Sequence, residues 1–233
     1  MKKLIGLLAL ILMTHVNAQD GVLEINQLCV ETGCFQGDDP GFPVKVTNSG
    51  SYRLTSNITV NSANTTAIEA INLDSFTLDL NGFQISGVTE CSGGIVECTN
   101  TGNGLGIHVT ASKSVVIKNG TIVGLGASAI SGNVFGPFTI ENMIIQKNGG
   151  DAINAPSGAV VRNCDIHING GNGFTSSSVT SLITGSRFIN NGGMGVTGGA
   201  CGGNVFRLND GGEEECTLEI SPNSCGNSLC TIN

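Results

Sequence analysis

The side chains able to do acid–base chemistry are few and unevenly spread. Glu69, Asp74, Asp79, Glu90 and Glu97 concentrate carboxylates in the amino-terminal half, whereas between Gly104 and Asn209 only Glu141, Asp151 and Asp165 remain. Converging carboxylates can hold a calcium ion or divide the work of glycosidic hydrolysis between an acid and a base. On that chemistry Asp79, Glu97 and Asp151 are the candidate catalytic acids, and His108 is a candidate acid–base group. No carboxylate is assigned beside His108. Asp151 has no evident partner and reads more simply as a turn residue after Gly149-Gly150.

The nine cysteines point to a different chemistry. Cys29 and Cys34, Cys91 and Cys98, and Cys225 and Cys230 are close in sequence; Cys201 and Cys216 form the remaining pair, and Cys164 is left alone. Four local pairs imply disulfides and an oxidising compartment. Zinc fits badly, because no CxxC occurs and only His108 and His167 lie beyond residue 18. Neither a metal nor another cofactor is expected.

These residues are positioned by a repeat. Ile117-Lys118-Asn119-Gly120-Thr121-Ile122, Ile140-Glu141-Asn142-Met143-Ile144-Ile145, Val161-Arg162-Asn163-Cys164-Asp165-Ile166 and Ile183-Thr184-Gly185-Ser186-Arg187-Phe188 recur at steps of 23, 21 and 22 residues. A second segment keeps the same steps, as Ala129-Ile130-Ser131, Ala152-Ile153-Asn154, Gly173-Phe174-Thr175 and Gly195-Val196-Thr197. Two features sharing one period identify a solenoid, and short alternating segments broken by Gly and Asn are strands. The fold class is therefore all-β: a single-stranded right-handed parallel β-helix with coils of about 22 residues, a disulfide-stapled loop and end caps.

Stacked coils turn sequence position into rows. Ile117, Ile140, Val161 and Ile183 should point inward, as should Ile122, Ile145, Ile166 and Phe188, and Ile130, Ile153, Phe174 and Val196. Gly120, Met143, Cys164 and Ser186 form a further inward row, which makes Cys164 a small buried hydrophobe. Asn119, Asn142 and Asn163 take the corner between strands, where asparagine tolerates a left-handed backbone and its amide can bond to the next coil; Asn81 has a similar context. Lys118, Glu141 and Arg162 share one outward row, and Asp165 and Arg187 another. Asn72, His108, Ser131, Asn154, Thr175 and Thr197 make a polar outward strip, the candidate ligand-binding surface.

The ends bound the context. Met1-Lys2-Lys3, the apolar run Leu4–Met13 and Val16-Asn17-Ala18 read as a secretory signal peptide over 1–18, cut after Ala18, for a secreted or periplasmic protein. No later segment is apolar enough for a membrane span. Removal of Lys2 and Lys3 with no acid takes the formal charge from −8 to −10. That balance disfavours nucleic acid. Residues 19–50 are read as an amino-terminal cap, 51–210 as the β-helix with an inserted loop at 88–103, and 211–233 as a carboxy-terminal cap that hides the last strand.

The corner asparagines, the coil length and Asn163-Cys164-Asp165-Ile166 resemble the right-handed parallel β-helix repeat proteins of the pectin-lyase-like superfamily. Ser51-Tyr52-Arg53-Leu54-Thr55-Ser56-Asn57 and Leu78-Asp79-Leu80-Asn81-Gly82 look like the opening of uncharacterised bacterial secreted proteins of this class. The resemblance covers roughly 43–210 and implies a fold that hosts lyases, hydrolases, esterases and adhesins alike. Pectate lyases of this kind hold calcium with carboxylates, but here the acids fall in different rows. Polygalacturonases use a Gly-Asp-Asp run and a Gly-His-Gly; this chain keeps only Asp151 of the first and lacks the second. The expectation is a non-catalytic protein that binds a polysaccharide or a cell-surface component. A polysaccharide lyase or hydrolase and a purely structural or assembly protein are the alternatives.

Overall fold

The computed structural model describes residues 21–230, so the expected signal peptide lies outside the described residues. Apart from a one-turn helix at Gln27–Val30, the regular structure is β. A sixteen-stranded and an eight-stranded sheet are built by parallel pairing between successive turns of the chain, a β-helix-like solenoid. Antiparallel pairing occurs among the described residues at two hairpins, Glu90–Ser92 with Glu97–Thr99 and Ser224–Cys225 with Ser228–Leu229. The short strands are rich in Ile, Val and Thr, whose branched side chains suit a pleated surface.

The inward rows stack as the periodicity requires. Leu78, Ile117, Ile140, Val161 and Ile183 are register partners in succession. So are Ile58, Ile85, Ile122, Ile145, Ile166, Phe188 and Phe206. On the eight-stranded sheet the column runs Val44, Ile68, Ile107, Ile130, Ile153, Phe174 and Val196. All these side chains are buried, each contributing roughly 1.5–3 kcal/mol of transfer free energy. Cys164 is buried among them as the free thiol, and burial pushes its pKa up to about 12. A thiol held neutral in this way is inert.

The corners use the left-handed region. Asn81, Asn119, Asn142, Asn163 and Gly185 have φ of 52°, 62°, 54°, 54° and 59°. Their amide ladder is partial: Asn142 Nδ2 donates to Asn119 Oδ1 (3.3 Å), and Asn119 Nδ2 to Asp79 Oδ1 (3.2 Å). A second ladder is fully buried. Asn148 Nδ2 donates to Asn169 Oδ1 (2.9 Å), Asn169 Nδ2 to Asn191 Oδ1 (3.0 Å), and Asn191 Nδ2 to Asn209 Oδ1 (2.9 Å). The same oxygens accept the backbone N–H groups of Asn148, Asn169 and Asn191. Asn209 Nδ2 ends the run on Glu213 Oε2 at 2.8 Å.

Disulfides join Cys29 to Cys34, Cys91 to Cys98, Cys201 to Cys216 and Cys225 to Cys230. One side of the stapled hairpin packs on the solenoid while its tip stays exposed, with Ile95 80% accessible. It lies across the turns that carry the buried ladder, and the Val96 N–H reaches Asp210 Oδ2 at 3.0 Å, 114 residues away in sequence. Gly149, Gly170 and Gly192 face it: a Cβ on each would approach Thr101 Cγ2 (2.9 Å), Cys98 Sγ (2.9 Å) and Val96 Cβ (3.4 Å) in turn. The glycines following the ladder asparagines let the hairpin lie flat.

Candidate functional site

The polar strip exists, with one correction. Ser131 pairs with His108 on one side and Asn154 on the other, and Asn154, Thr175 and Thr197 follow in register. Asn72 is not a member. It is exposed at φ 59°, beyond the end of its strand, and the residue in register with His108 is Glu69. The irregular spacing of the first coils displaced the alignment by three positions. The correction supplies His108 with the carboxylate that sequence alone did not assign, because Glu69 Oε1 lies 3.4 Å from Nδ1. Thr175 Oγ1 accepts from Asn172 Nδ2 (3.0 Å), and Thr197 Oγ1 donates to Phe174 O (3.3 Å).

The other candidate acids occupy structural positions. Asp79 sits in an outward row of alternating charge, Arg53, Asp79, Lys118, Glu141 and Arg162. Its Oδ1 accepts from the Asn81 backbone (2.8 Å) and from Asn119 Nδ2 (3.2 Å). Within that row Arg162 Nε meets Glu141 Oε2 at 2.6 Å; such exposed pairs contribute about 0–1 kcal/mol. Asp151 Oδ1 accepts the Asn172 N–H of the next turn at 2.8 Å, which fits its reading as a turn residue. Glu97 is exposed on the hairpin, where it and Glu90 border a recess of about 430 Å³ that also contains Lys147.

A larger cleft, about 770 Å³, lies between the hairpin and the outward face of the strands Asp165–His167 and Arg187–Ile189, with the turn residues Leu208, Asn209 and Asp210 continuing its wall. Asp165, His167, Arg187, Asn190 and Asp210 supply its polar groups, and Ile168, Ile189 and Leu208 its apolar ones. Arg187 Nη1 holds Asp165 Oδ2 at 2.9 Å. Burial lowers the His167 pKa, Asp165 opposes that, and Arg187 and Lys147 add to it. The neutral imidazole therefore offers one donor and one acceptor at neutral pH. Ile168, Asn190 and Leu208 stand at φ 56°, 56° and 57° immediately before the ladder asparagines. For β-branched Ile168 that conformation is strained; Lys147 adopts it too, at φ 54° before Asn148, so the repeating turn imposes it.

Asp165 and Arg187 are register partners, in keeping with the outward row their spacing predicts, but no pattern in the sequence brings His167 and the hairpin to them. The recurring Asn-Gly-Gly at 148–150, 169–171 and 191–193 was the available signal for the turns beneath the hairpin. Two groups of potential metal-ligating atoms occur among the described residues, both around Glu214, and their other members are Cys201 and Cys216, or Cys225 and Cys230. All four sulfurs are in disulfides and have no thiolate to offer. Among the described residues no helix is long and apolar enough to cross a membrane. No protein-family model matches the chain, and neither a curated protein nor a solved structure matches it.

Proposed function

We propose that this is a secreted, right-handed parallel β-helix of the pectin-lyase-like kind, with coils of about 22 residues, which holds a glycan in the cleft beside the stapled hairpin without cleaving its glycosidic bonds. The observation that carries the reading is the cleft itself. Its volume of about 770 Å³ falls in the range of small-ligand sites. It combines a fixed Asp165–Arg187 pair, the neutral donor–acceptor His167 and the Asn190 amide with the aliphatic surface of Ile168, Ile189 and Leu208. Sugar hydroxyls need such directional donors and acceptors, and the C–H faces of sugar rings need apolar contact. Disulfides and the absence of a membrane-crossing helix among the described residues are compatible with a secreted or periplasmic location.

Backbone cleavage fits less well. An inverting or retaining glycosidase needs two free carboxyl groups facing each other across the bond. Here Asp165 is engaged by Arg187, and Asp210 by the Val96 N–H. The test is calorimetric titration of purified protein with neutral, amino-sugar and uronate oligosaccharides, with reducing ends and unsaturated products followed in parallel. Binding of one class without turnover is expected. Arg187→Ala should weaken it by roughly 10-fold or more, the loss of one charged hydrogen bond. Undiminished binding by Arg187→Ala and His167→Ala would move the site elsewhere, and appearance of new chain ends would replace binding with depolymerisation.

A further inference from the structure

We propose that the outward row of the eight-stranded sheet carries an ester-cleaving site, distinct from the cleft, in which Ser131 is the nucleophile, His108 the general base, Glu69 the residue that orients the imidazole, and Asn154 the donor to the oxyanion. These four residues are consecutive register partners: Glu69 with His108, His108 with Ser131, and Ser131 with Asn154. Parallel strands place each about 4.8 Å from the next. A carboxylate, an imidazole, a hydroxyl and an amide thus stand in the order that acyl transfer requires.

Local bonding supports the assignment. Glu69 Oε1 lies 3.4 Å from His108 Nδ1, which leaves Nε2 as the free ring nitrogen. A carboxylate on Nδ1 fixes the tautomer in which Nε2 can accept a proton. Ser131 Oγ and the Asn154 amide make no hydrogen bond among the described residues, whereas Thr175 and Thr197 farther along the row are already engaged. All four side chains are half-buried on rigid strands. Ser131 Oγ and His108 Nε2 are not hydrogen-bonded to each other among the described residues, and catalytic hydrogen bonds commonly tighten only around substrate.

The chemistry closes without an added cofactor. Ser131 Oγ attacks the ester carbonyl carbon while its proton passes to His108 Nε2, and the carbonyl oxygen becomes an oxyanion facing Asn154 Nδ2. Collapse breaks the carbon–oxygen bond, and the leaving alkoxide takes the proton from Nε2. Water then attacks the acyl carbon as Nε2 takes its proton, the bond to Ser131 Oγ breaks, Oγ recovers the proton from Nε2, and the carboxylic acid leaves. The row is a half-buried strip running along the stack, which suits a small acyl ester, such as an acetyl group, on an extended alcohol chain that lies along it.

The decisive experiment treats the intact disulfide-bonded protein with a fluorophosphonate probe, maps the modified peptide, and measures hydrolysis of 4-nitrophenyl acetate. Modification at Ser131 and ester turnover are expected. Ser131→Ala and His108→Ala should each lower kcat by ~10²–10⁴-fold, and Asn154→Ala by ~10²-fold. Glu69→Gln should lower kcat with KM unchanged, with part of the loss recovered in Glu69→Asp. No modification, modification at another serine, or turnover that survives Ser131→Ala would overturn the proposal. The mapping uses unmutated protein, so it decides the matter even where a variant folds poorly. Neither readout uses a glycan or a cleft residue, so it stands or falls separately from glycan binding.

Discussion

Two rows of asparagine run along the same stack and do opposite jobs. Asn119, Asn142 and Asn163 stand at an outward corner in left-handed conformations, and a single amide bond, from Asn142 to Asn119, joins two of them. Asn148, Asn169, Asn191 and Asn209 stand a few residues later, buried, each amide closing bonds to the turns above and below. In the first row the backbone conformation is what the position demands, and glycine meets the demand at Gly185 with φ 59°. In the second the hydrogen bonds are the demand, because the asparagines that make them are buried out of reach of solvent. Residue type alone does not reveal which role an asparagine plays; burial does.

The largest effect should follow from breaking the buried row. Asn169→Ala removes the acceptor for the Asn148 N–H and amide, and the donor to Ile145 O. Leaving several buried polar groups unpaired should cost about 3 kcal/mol or more. Denaturant melts would register that loss, and hydrogen exchange should show it spreading first to the adjacent coils, since a solenoid is held by nearest-neighbour contacts. Asn169→Gly should be no better tolerated. A variant as stable as the parent would mean that the ladder is incidental.

A buried polar group without partners sharpens the contrast. Glu214 is in register with Val196, in line with an otherwise apolar column. Its Oε1 is buried with no hydrogen-bond partner. Its Oε2 lies 3.3 Å from Cys216 Sγ, a disulfide sulfur with no proton to donate. Burial, with help from Glu219, raises its pKa to about 7. A raised carboxyl pKa means that the folded state holds the proton more tightly than the unfolded one. The stabilisation is fully present below the ordinary carboxylate range and disappears as pH rises through about 7. The melting temperature of the carboxy-terminal turns should therefore fall by a few degrees, on the order of 2–4 °C, between pH 5 and pH 8. Glu214→Gln should flatten that dependence and raise stability at pH 8; an unchanged slope in the variant would assign the titration to another group.

The solenoid was legible because its determinants are local and repeated. The rows through Ile117, Ile122 and Ile130 follow from one period, and the four disulfides from cysteine spacing. Legibility failed where the period did. Glu69 and Asn72 both lie in an irregular coil, and only the observed register puts Glu69 beside His108. The cleft was hidden for a different reason. It requires a hairpin to fold back onto turns about a hundred residues downstream, held by the Val96–Asp210 bond, and no local pattern encodes that approach. The buried ladder had a visible signal in its repeated Asn-Gly-Gly, but glycines after an asparagine read first as a turn.

The smallest effect is the most discriminating. At the corner, Asn142→Gly should be nearly neutral: it surrenders one exposed amide bond of 3.3 Å and relieves a left-handed backbone at φ 54°. Asn142→Ala keeps the loss and adds a Cβ in the unfavourable region, about 1 kcal/mol. Chemical denaturation of the two variants side by side should separate them by roughly that amount. If alanine and glycine were equally harmful at 142, the amide ladder rather than the backbone would govern the corner. The two asparagine rows would then be one device used twice. If glycine alone is harmless, the corner needs only a residue that turns left, and the buried row is where asparagine itself is required.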